Sequence, residues 1–351
     1  MTTYLVTGGA GFIGSTLVRQ LIDEPATSVV NLDKLTYAGN VESLGDVLIH
    51  PRHQFVRGDI SDAAAVRALL AEHRPAGVFH LAAESHVDRS IDQPAQFIQT
   101  NLVGTFTLLD ACLDYWRTLD VASQASFRFL HASSDEVFGS LAANGYSGED
   151  TPYDPSSPYS ASKAGADFLA RAWQRTYGLP VVVTNSSNVY GPYQFPEKLI
   201  PLMIQKAIHA EPLPVYGRGE NVRDWLHVDD QARALRCVMA AGVPGRTYHV
   251  GARNERRNID LVRNICGLLD EFRPDPAGPH ERLISFVADR PGHDLRYAVD
   301  GSRLRTELGW QPRRTFEAGL RGAVTWYLAH QDWVARAVGG AYRGERLGTR
   351  S

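Results

Sequence analysis

The stretch VTGGAGFIG, Val6 to Gly14, decides the fold. The apolar run YLVT leads into it, and the amphipathic segment GFIGSTLVRQLID leads out. Gly8, Gly11 and Gly14 stand three apart. Glycine there permits a tight turn, lets backbone approach a pyrophosphate, and lets the following helix pack close to the sheet. The helix N-terminus then offers free N–H groups to phosphate oxygens. With a strand pattern before it and a helix pattern after it, the turn reads as a dinucleotide site.

Outward from that turn, short apolar runs alternate with longer amphipathic segments. SVVNLD, HQFVRGD, AGVFHLAA, FRFLHASS and LPVVVTNSS are separated by DAAAVRALLAEH, FIQTNLVGTFTLLDACLDYW and SPYSASKAGADFLARAWQRTYG. Continuous apolar strands separated by helices imply a parallel sheet covered on both faces. Right-handed crossovers then give a doubly wound, Rossmann-like α/β fold. After Asn188 prolines and turn residues multiply and the helices shorten. The expected division is a dinucleotide-binding domain over 1–188, a smaller C-terminal α/β substrate lobe over 189–335 with segments crossing between the two, and a polar tail over 336–351.

The second strand ends at Asp33, nineteen residues after Gly14. A carboxylate there binds ribose hydroxyls and repels a 2′-phosphate, which favours NAD over NADP. Lys34 beside it works against that preference. Asp59, ending the third strand, reads equally as an adenine contact or a turn former.

Composition sets limits. The 351 residues carry a formal net charge of −3, which leaves no electrostatic footprint for nucleic acid or anionic lipid. No apolar run approaches the ~20 residues needed to span a bilayer. TYLVTGG reads as a strand from the third residue, so no secretory signal is expected and the location reads as cytoplasmic. Cys112, Cys237 and Cys266 are far apart and lack metal-ligand spacing. They read as buried, reduced thiols. Glu84, His86 and Asp88 fit a helix cap or substrate loop better than a metal site, and no metal is expected.

SPYSASKAGAD places Tyr159 and Lys163 four apart at the start of a helix, hence on one face. An ammonium beside the phenol lowers its pKa from about 10. The tyrosinate can then take the proton of a substrate alcohol as hydride leaves for NAD. Upstream, HASSDEVFG puts Ser133 and Ser134 directly before Asp135 and Glu136 at a strand end. Consecutive strand residues face opposite ways, so both acids can meet one ligand only if the chain turns at Ser134. The bland alternative makes Asp135 a helix N-cap with Glu136 in its first turn.

Ser134, Tyr159 and Lys163 together resemble the Ser/Thr–Tyr–Lys set of short-chain dehydrogenase/reductases, and the length resembles their extended, nucleotide-sugar branch. SSDEVFG, PSSPYSASKAGAD, GPYQFPEKLIPL, RDWLHVDD and ADRPGHDLRYAVD are similar in order and spacing to the dTDP-glucose 4,6-dehydratase family. The likeness runs from LVTGGAGFIG to about TWYLAHQDWV, nearly the whole chain.

That resemblance implies C4 oxidation of the sugar by NAD, removal of the C5 proton by Glu136, loss of the C6 hydroxyl to the acid Asp135, and hydride return to C6. Such a division needs Asp135 protonated, with a raised pKa. It also implies a cofactor site of Gly8, Gly11, Phe12, Ile13, Gly14, Asp33, Lys34, Leu35, Thr36, Asp59, Ile60, Leu81, Ala82, Ala83, Ser85, Thr100, Tyr159, Lys163 and Val189. Substrate would meet Ser85, Ser134, Asp135, Glu136, Asn188, Lys198, Leu199, Pro214, Val215, Tyr216, Arg223, Asn258, Asp289, Arg290, Pro291, Gly292 and His293. Arg223 and Arg290 suit a diphosphate, because guanidinium binds phosphate oxygens in pairs; a pairing of Arg223 with Asp224, or a solvated DRPGHD turn, is the rival. Two positions depart from the family: Ser134 replaces a threonine, and Val189 replaces the second of two asparagines. A homodimer through a four-helix interface, built from the segments 95–117 and 158–177, is also implied. A nucleotide-sugar 4-epimerase, a dehydratase of another nucleotide sugar, and a non-catalytic NAD sensor remain as alternatives.

Overall fold

The structure is a computed structural model that describes residues 1–339 and 347–348. Twelve strands are described: β1 Thr2–Thr7, β2 Thr27–Asp33, β3 His53–Arg57, β4 Gly77–His80, β5 Arg128–Ser134, β6 Val181–Ser186, β7 Asn188–Tyr190, β8 Leu213–Tyr216, β9 Val222–His227, β10 Thr247–Val250, β11 Glu255–Arg257 and β12 Ile284–Val287. Seven of them form one sheet in the order β10-β6-β5-β4-β1-β2-β3. Every pairing in it is parallel. This is the doubly wound sheet read from the alternating pattern.

The strands are buried on both faces, which is why their sequences run apolar rather than alternating. Helices Phe12–Ile22 and Val228–Ala241 cover one face through Leu17, Leu21, Leu235 and Val238. Ala63–His73, Thr105–Arg117 and Pro158–Tyr177 cover the other through Val66, Leu108, Cys112 and Ala170. A separate core of Ile200, Met203, Leu261, Ile265, Leu320 and Tyr327 lies in the C-terminal half, beneath the small sheets β11-β9-β7 and β12-β8. Strand β10, though late in the chain, pairs with β6 and completes the large sheet.

Cys112 and Cys266 are buried free thiols, as expected, whereas Cys237 is only half-buried and donates to the Leu308 carbonyl at 3.5 Å. Residues 336–338 of the expected tail belong to the helix Gln331–Val338. Of the remainder, 340–346 and 349–351 lie outside the described residues, and the Gly348 N–H donates to Asp92 at 2.8 Å.

The sheet order reverses between β1 and β4, the place where open α/β sheets gather ligands at strand carboxyl ends. Register brings those ends level: Thr7 opposes His80, and Ser134 opposes Ser186. The site described next lies along that edge.

Candidate active site

The glycine turn is shaped so that side chains do not fit. Gly8 has φ +73°, and a Cβ there would stand 2.7 Å from the Ala82 nitrogen. A Cβ on Gly14 would stand 2.1 Å from the Gly8 carbonyl oxygen. Gly11 caps the helix Phe12–Ile22, and among the described residues no side chain caps its first N–H groups. Those donors stay free for an anionic ligand. Asp33 ends β2 and accepts from Ala10 N at 2.9 Å and Leu35 N at 2.8 Å. Lys34 pairs with Asp59 at 2.6 Å, so the positive charge beside Asp33 is countered. A cradle closed to any Cβ, free helix N–H groups and a carboxylate at the second strand end fit a dinucleotide.

A single cleft runs from this turn to the catalytic strand ends. Every expected cofactor residue lines it except Leu35, whose backbone is left-handed at φ +56° and whose N–H serves Asp33. Glu84, read from the sequence as a helix-cap or substrate-loop residue, lines it as well; Ser186, Ser187, Gln194, Phe195, Glu197 and Gln231 also line it and were not foreseen. Ser186 and Ser187 carried a usable signal, since they close an apolar strand; Gln231 is a buried polar residue of the helix Val228–Ala241, and Gln194, Phe195 and Glu197 sit in irregular segments with none. The Val189 carbonyl accepts from Gln194 Nε2 at 2.9 Å, so backbone, not side chain, is engaged there.

Strand β5 ends at Ser134, and one 3-10 turn, Asp135–Phe138, follows at once. The chain turns where the sharing of one ligand by both acids requires. Ser134, not Asp135, is the cap: its Oγ accepts from Glu136 N at 3.3 Å. Asp135 is thereby released from capping, and its buried Oδ2 has no hydrogen-bond partner among the described residues. Burial and then the adjacent Glu136 push the Asp135 carboxyl well above the ordinary range, with Arg223 opposing. Glu136 is raised by burial too, but Arg290, Arg223 and Lys198 pull it back. The two acids thus differ through their neighbours.

Helix Pro158–Tyr177 starts with Ser157 and Ser160 bonded reciprocally in a capping box, which fixes the first turn. Tyr159 and Lys163 both reach the cleft from it. The Tyr159 pKa is not lowered as expected. Burial, followed by Glu136, holds the phenol above its ordinary value, while Ser134 draws it down. The Lys163 ammonium donates to the Ala132 carbonyl at 2.8 Å, and burial pushes it down to about 8 against the pull of Asp167.

Of the expected substrate residues, Ser85, Ser134, Asp135, Glu136, Asn188 and Lys198 line the cleft, and the Lys198 ammonium donates to the Ser85 carbonyl at 2.7 Å. Val215 instead lies in the C-terminal core, Leu199 packs against that core, and Pro214 opposes Ser285 in the β8–β12 pair. Arg290 pairs with Asp88 at 2.8 Å, and the same carboxylate accepts from Tyr216 OH at 2.8 Å. His293 meets the Tyr216 ring edge-on and bonds Asp289 at 2.6 Å; burial, Arg290 and Arg223 push it down to about 4. Arg223 does not pair with Asp224. It donates to the carbonyls of Val222, Asp294 and Leu295 and lies over the Tyr297 ring at 4.2 Å. Asn258 begins a helix with its Oδ1 buried and without a partner among the described residues. His86 caps the helix Val87–Asp92 by accepting from Arg89 N at 3.4 Å.

Residues 5–323 match the family model described as GDP-mannose 4,6 dehydratase. The chain is 56% identical over 99% of both lengths to the dTDP-glucose 4,6-dehydratase of Neisseria meningitidis serogroup B. It is 54% identical over 98% of both lengths to that of Escherichia coli. The chain belongs to the dTDP-glucose 4,6-dehydratase family. Within that family the fold matches DesIV from Streptomyces venezuelae, solved with NAD and TYD bound, at a TM-score of 0.87, 45% identity and coverage of 96% and 100%. The neighbourhood extends to the UDP-glucose 4-epimerase of Thermus thermophilus in complex with NAD, with a TM-score of 0.82 and 27% identity over 94% of this chain and 100% of that one.

Proposed function

We propose that this chain is an NAD-dependent hydro-lyase that converts dTDP-glucose to dTDP-4-keto-6-deoxyglucose and water. The observation that carries this reading is the juxtaposition of Asp135 and Glu136, in unlike electrostatic surroundings, on the same cleft as Tyr159 and Lys163. An epimerase needs the second pair alone.

Bound NAD would supply the hydride acceptor at C4 and the hydride donor at C6, held by the glycine turn, Asp33 and the cleft walls. Tyr159 takes the C4 hydroxyl proton, with Ser134 bonding the C4 oxygen. The resulting ketone acidifies C5–H. Glu136 removes that proton while Asp135, kept protonated by its surroundings, gives one to the departing C6 hydroxyl. Glu136 then returns its proton to C5 as hydride reaches C6. Arg223 and Arg290 would face the diphosphate. Incubation with dTDP-glucose should give a 4-keto-6-deoxy sugar nucleotide, identified by mass and NMR. Absence of that product with dTDP-, UDP-, CDP- and GDP-glucose would sink the reading.

The proposal includes a homodimer, with Ile98, Val103, Phe106, Phe168 and Tyr177 as its centre. These are exposed although large and apolar, and they lie on the segments 95–117 and 158–177. Phe106 meets Trp173 edge-on at 5.7 Å, which joins the two segments into one patch. An apolar patch of this kind marks an association surface. Phe168→Glu should shift the protein from dimer to monomer in sedimentation velocity; a dimer of undiminished affinity would place the interface elsewhere. A cytoplasmic location completes the reading, consistent with free thiols.

A further inference from the structure

The functional reading leaves Asp167 unused. It lies on the helix Pro158–Tyr177, one turn after Lys163, and is wholly buried. Its Oδ1 accepts from His131 Nε2 at 3.1 Å. Its Oδ2 accepts from Tyr153 OH at 2.7 Å and from Asn185 Nδ2 at 3.1 Å. The same Asn185 amide donates to the Ser134 carbonyl at 3.1 Å. A chain of hydrogen bonds therefore runs from a helix carboxylate, through strand β6, to the last residue of β5 before the catalytic turn.

The charges around this carboxylate are few. His131 faces it from β5 and Tyr153 from the loop before the helix; Lys163 and Arg171 share its own helix. Arg171 donates to Tyr153 OH at 2.6 Å and lies over that ring at 4.8 Å. Burial acts to raise the carboxyl, but the His131 bond and the Lys163 charge hold it below the usual range, so it is an anion. A buried anion retained without touching ligand calls for a function, since removing a buried charge and its partners together is often neutral or stabilising.

We infer that Asp167 is a positioning residue, which fixes the Ser134 carbonyl through Asn185 and so aims Ser134, Asp135 and Glu136, and which stands as the buried counter-charge of Lys163. This rests on the dehydratase reading for its kinetic consequences but not for its electrostatic ones. A shift of about 1 Å in a catalytic group costs on the order of 100-fold in rate. Asp167→Asn should therefore lower kcat by about 100-fold while KM changes far less. Losing the negative charge should also move two titrations to lower pH: the alkaline limb of kcat, and the Tyr159 phenolate absorbance of the NAD-bound protein without sugar, read against Tyr159→Phe. Tyr153→Phe removes a bond to the same carboxylate without reaching Lys163 or Ser134, and should lower Tm while leaving both titrations in place. Asn185→Ser keeps the charge but breaks the link to Ser134; it should lower kcat without moving the phenolate midpoint, and it serves if Asp167→Asn does not fold. A folded Asp167→Asn protein with wild-type kcat and an unmoved phenolate midpoint overturns the inference. If the wild type makes no keto sugar, the dehydratase reading fails, and the phenolate midpoint still decides whether Asp167 sets the charge of the site.

Discussion

Glu136→Gln should oxidise its substrate and then stop. The amide keeps the shape of the side chain and its place in the turn, but it cannot take a proton from C5. Oxidation at C4 depends on Tyr159 and Lys163, which reach the cleft from a different element, the helix Pro158–Tyr177. The first half-reaction should survive and elimination should not. Positioned general bases contribute about 100- to 10,000-fold, so kcat should fall by about that much. The near-ultraviolet absorbance of reduced nicotinamide should rise in a single turnover and persist, with a 4-keto sugar that retains its C6 hydroxyl. The surroundings of Glu136 sharpen the expectation. Burial raises its carboxyl, and Arg290, Arg223 and Lys198 oppose that rise, in favour of the form that accepts a proton. Glutamine also removes a negative charge from among three cations, so substrate diphosphate should bind no more weakly. Turnover equal to wild type would remove Glu136 from the role of base.

What the sequence made legible follows local rules. Gly8, Gly11 and Gly14 stand in a spacing that one backbone path demands, and the strand and helix flanking them obey patterns readable within a few residues. The turn at Ser134 was legible as a requirement, because strand geometry forbids two neighbouring acids from sharing a ligand. Which residue would cap it was not. Serine and aspartate are nearly equal caps, and the strand runs on to Ser134, whose extended backbone places it at the cap.

What escaped depends on partners distant in sequence. The Tyr159 phenol was expected to be lowered by Lys163, but spacing on a helix says nothing of burial, and burial dominates. Asp167 reads as an ordinary helical acid until His131, Tyr153 and Asn185 converge on it from three other segments. Tyr37 is similar: the Arg89 guanidinium lies 3.9 Å from its ring centroid and pairs with Glu197 at 2.7 Å, which ties the loop after β2 to the segment before the helix Leu199–Ile208. Val215 shows another limit. The resemblance names a position, and only the packing shows that its side chain lies in the C-terminal core.

Asp135→Asn should yield a protein that is more stable and nearly inactive. Asp135 is 3% exposed, its Oδ2 has no partner among the described residues, and burial with Glu136 beside it raises its folded-state pKa well above the ordinary value. Folding therefore favours the protonated form. The corresponding stability is fully present below the unfolded-state pKa of about 3.9 and is lost as pH rises through the folded-state value. Asparagine is neutral at every pH and carries no such loss. The variant should match wild type in acid and exceed it increasingly toward alkaline pH, by about 1 to 2 °C in Tm for each kcal/mol regained. Its amide has no proton to give the departing C6 hydroxyl, so kcat should fall by about 100- to 10,000-fold while C4 oxidation continues. The wild-type elimination rate should itself decline as pH rises through the same raised pKa, and the variant should lack that limb. Calorimetry across pH, paired with single-turnover absorbance, separates the two effects. A variant less stable than wild type at alkaline pH would show that Asp135 is held there as a stabilising anion, which is incompatible with its role as the acid.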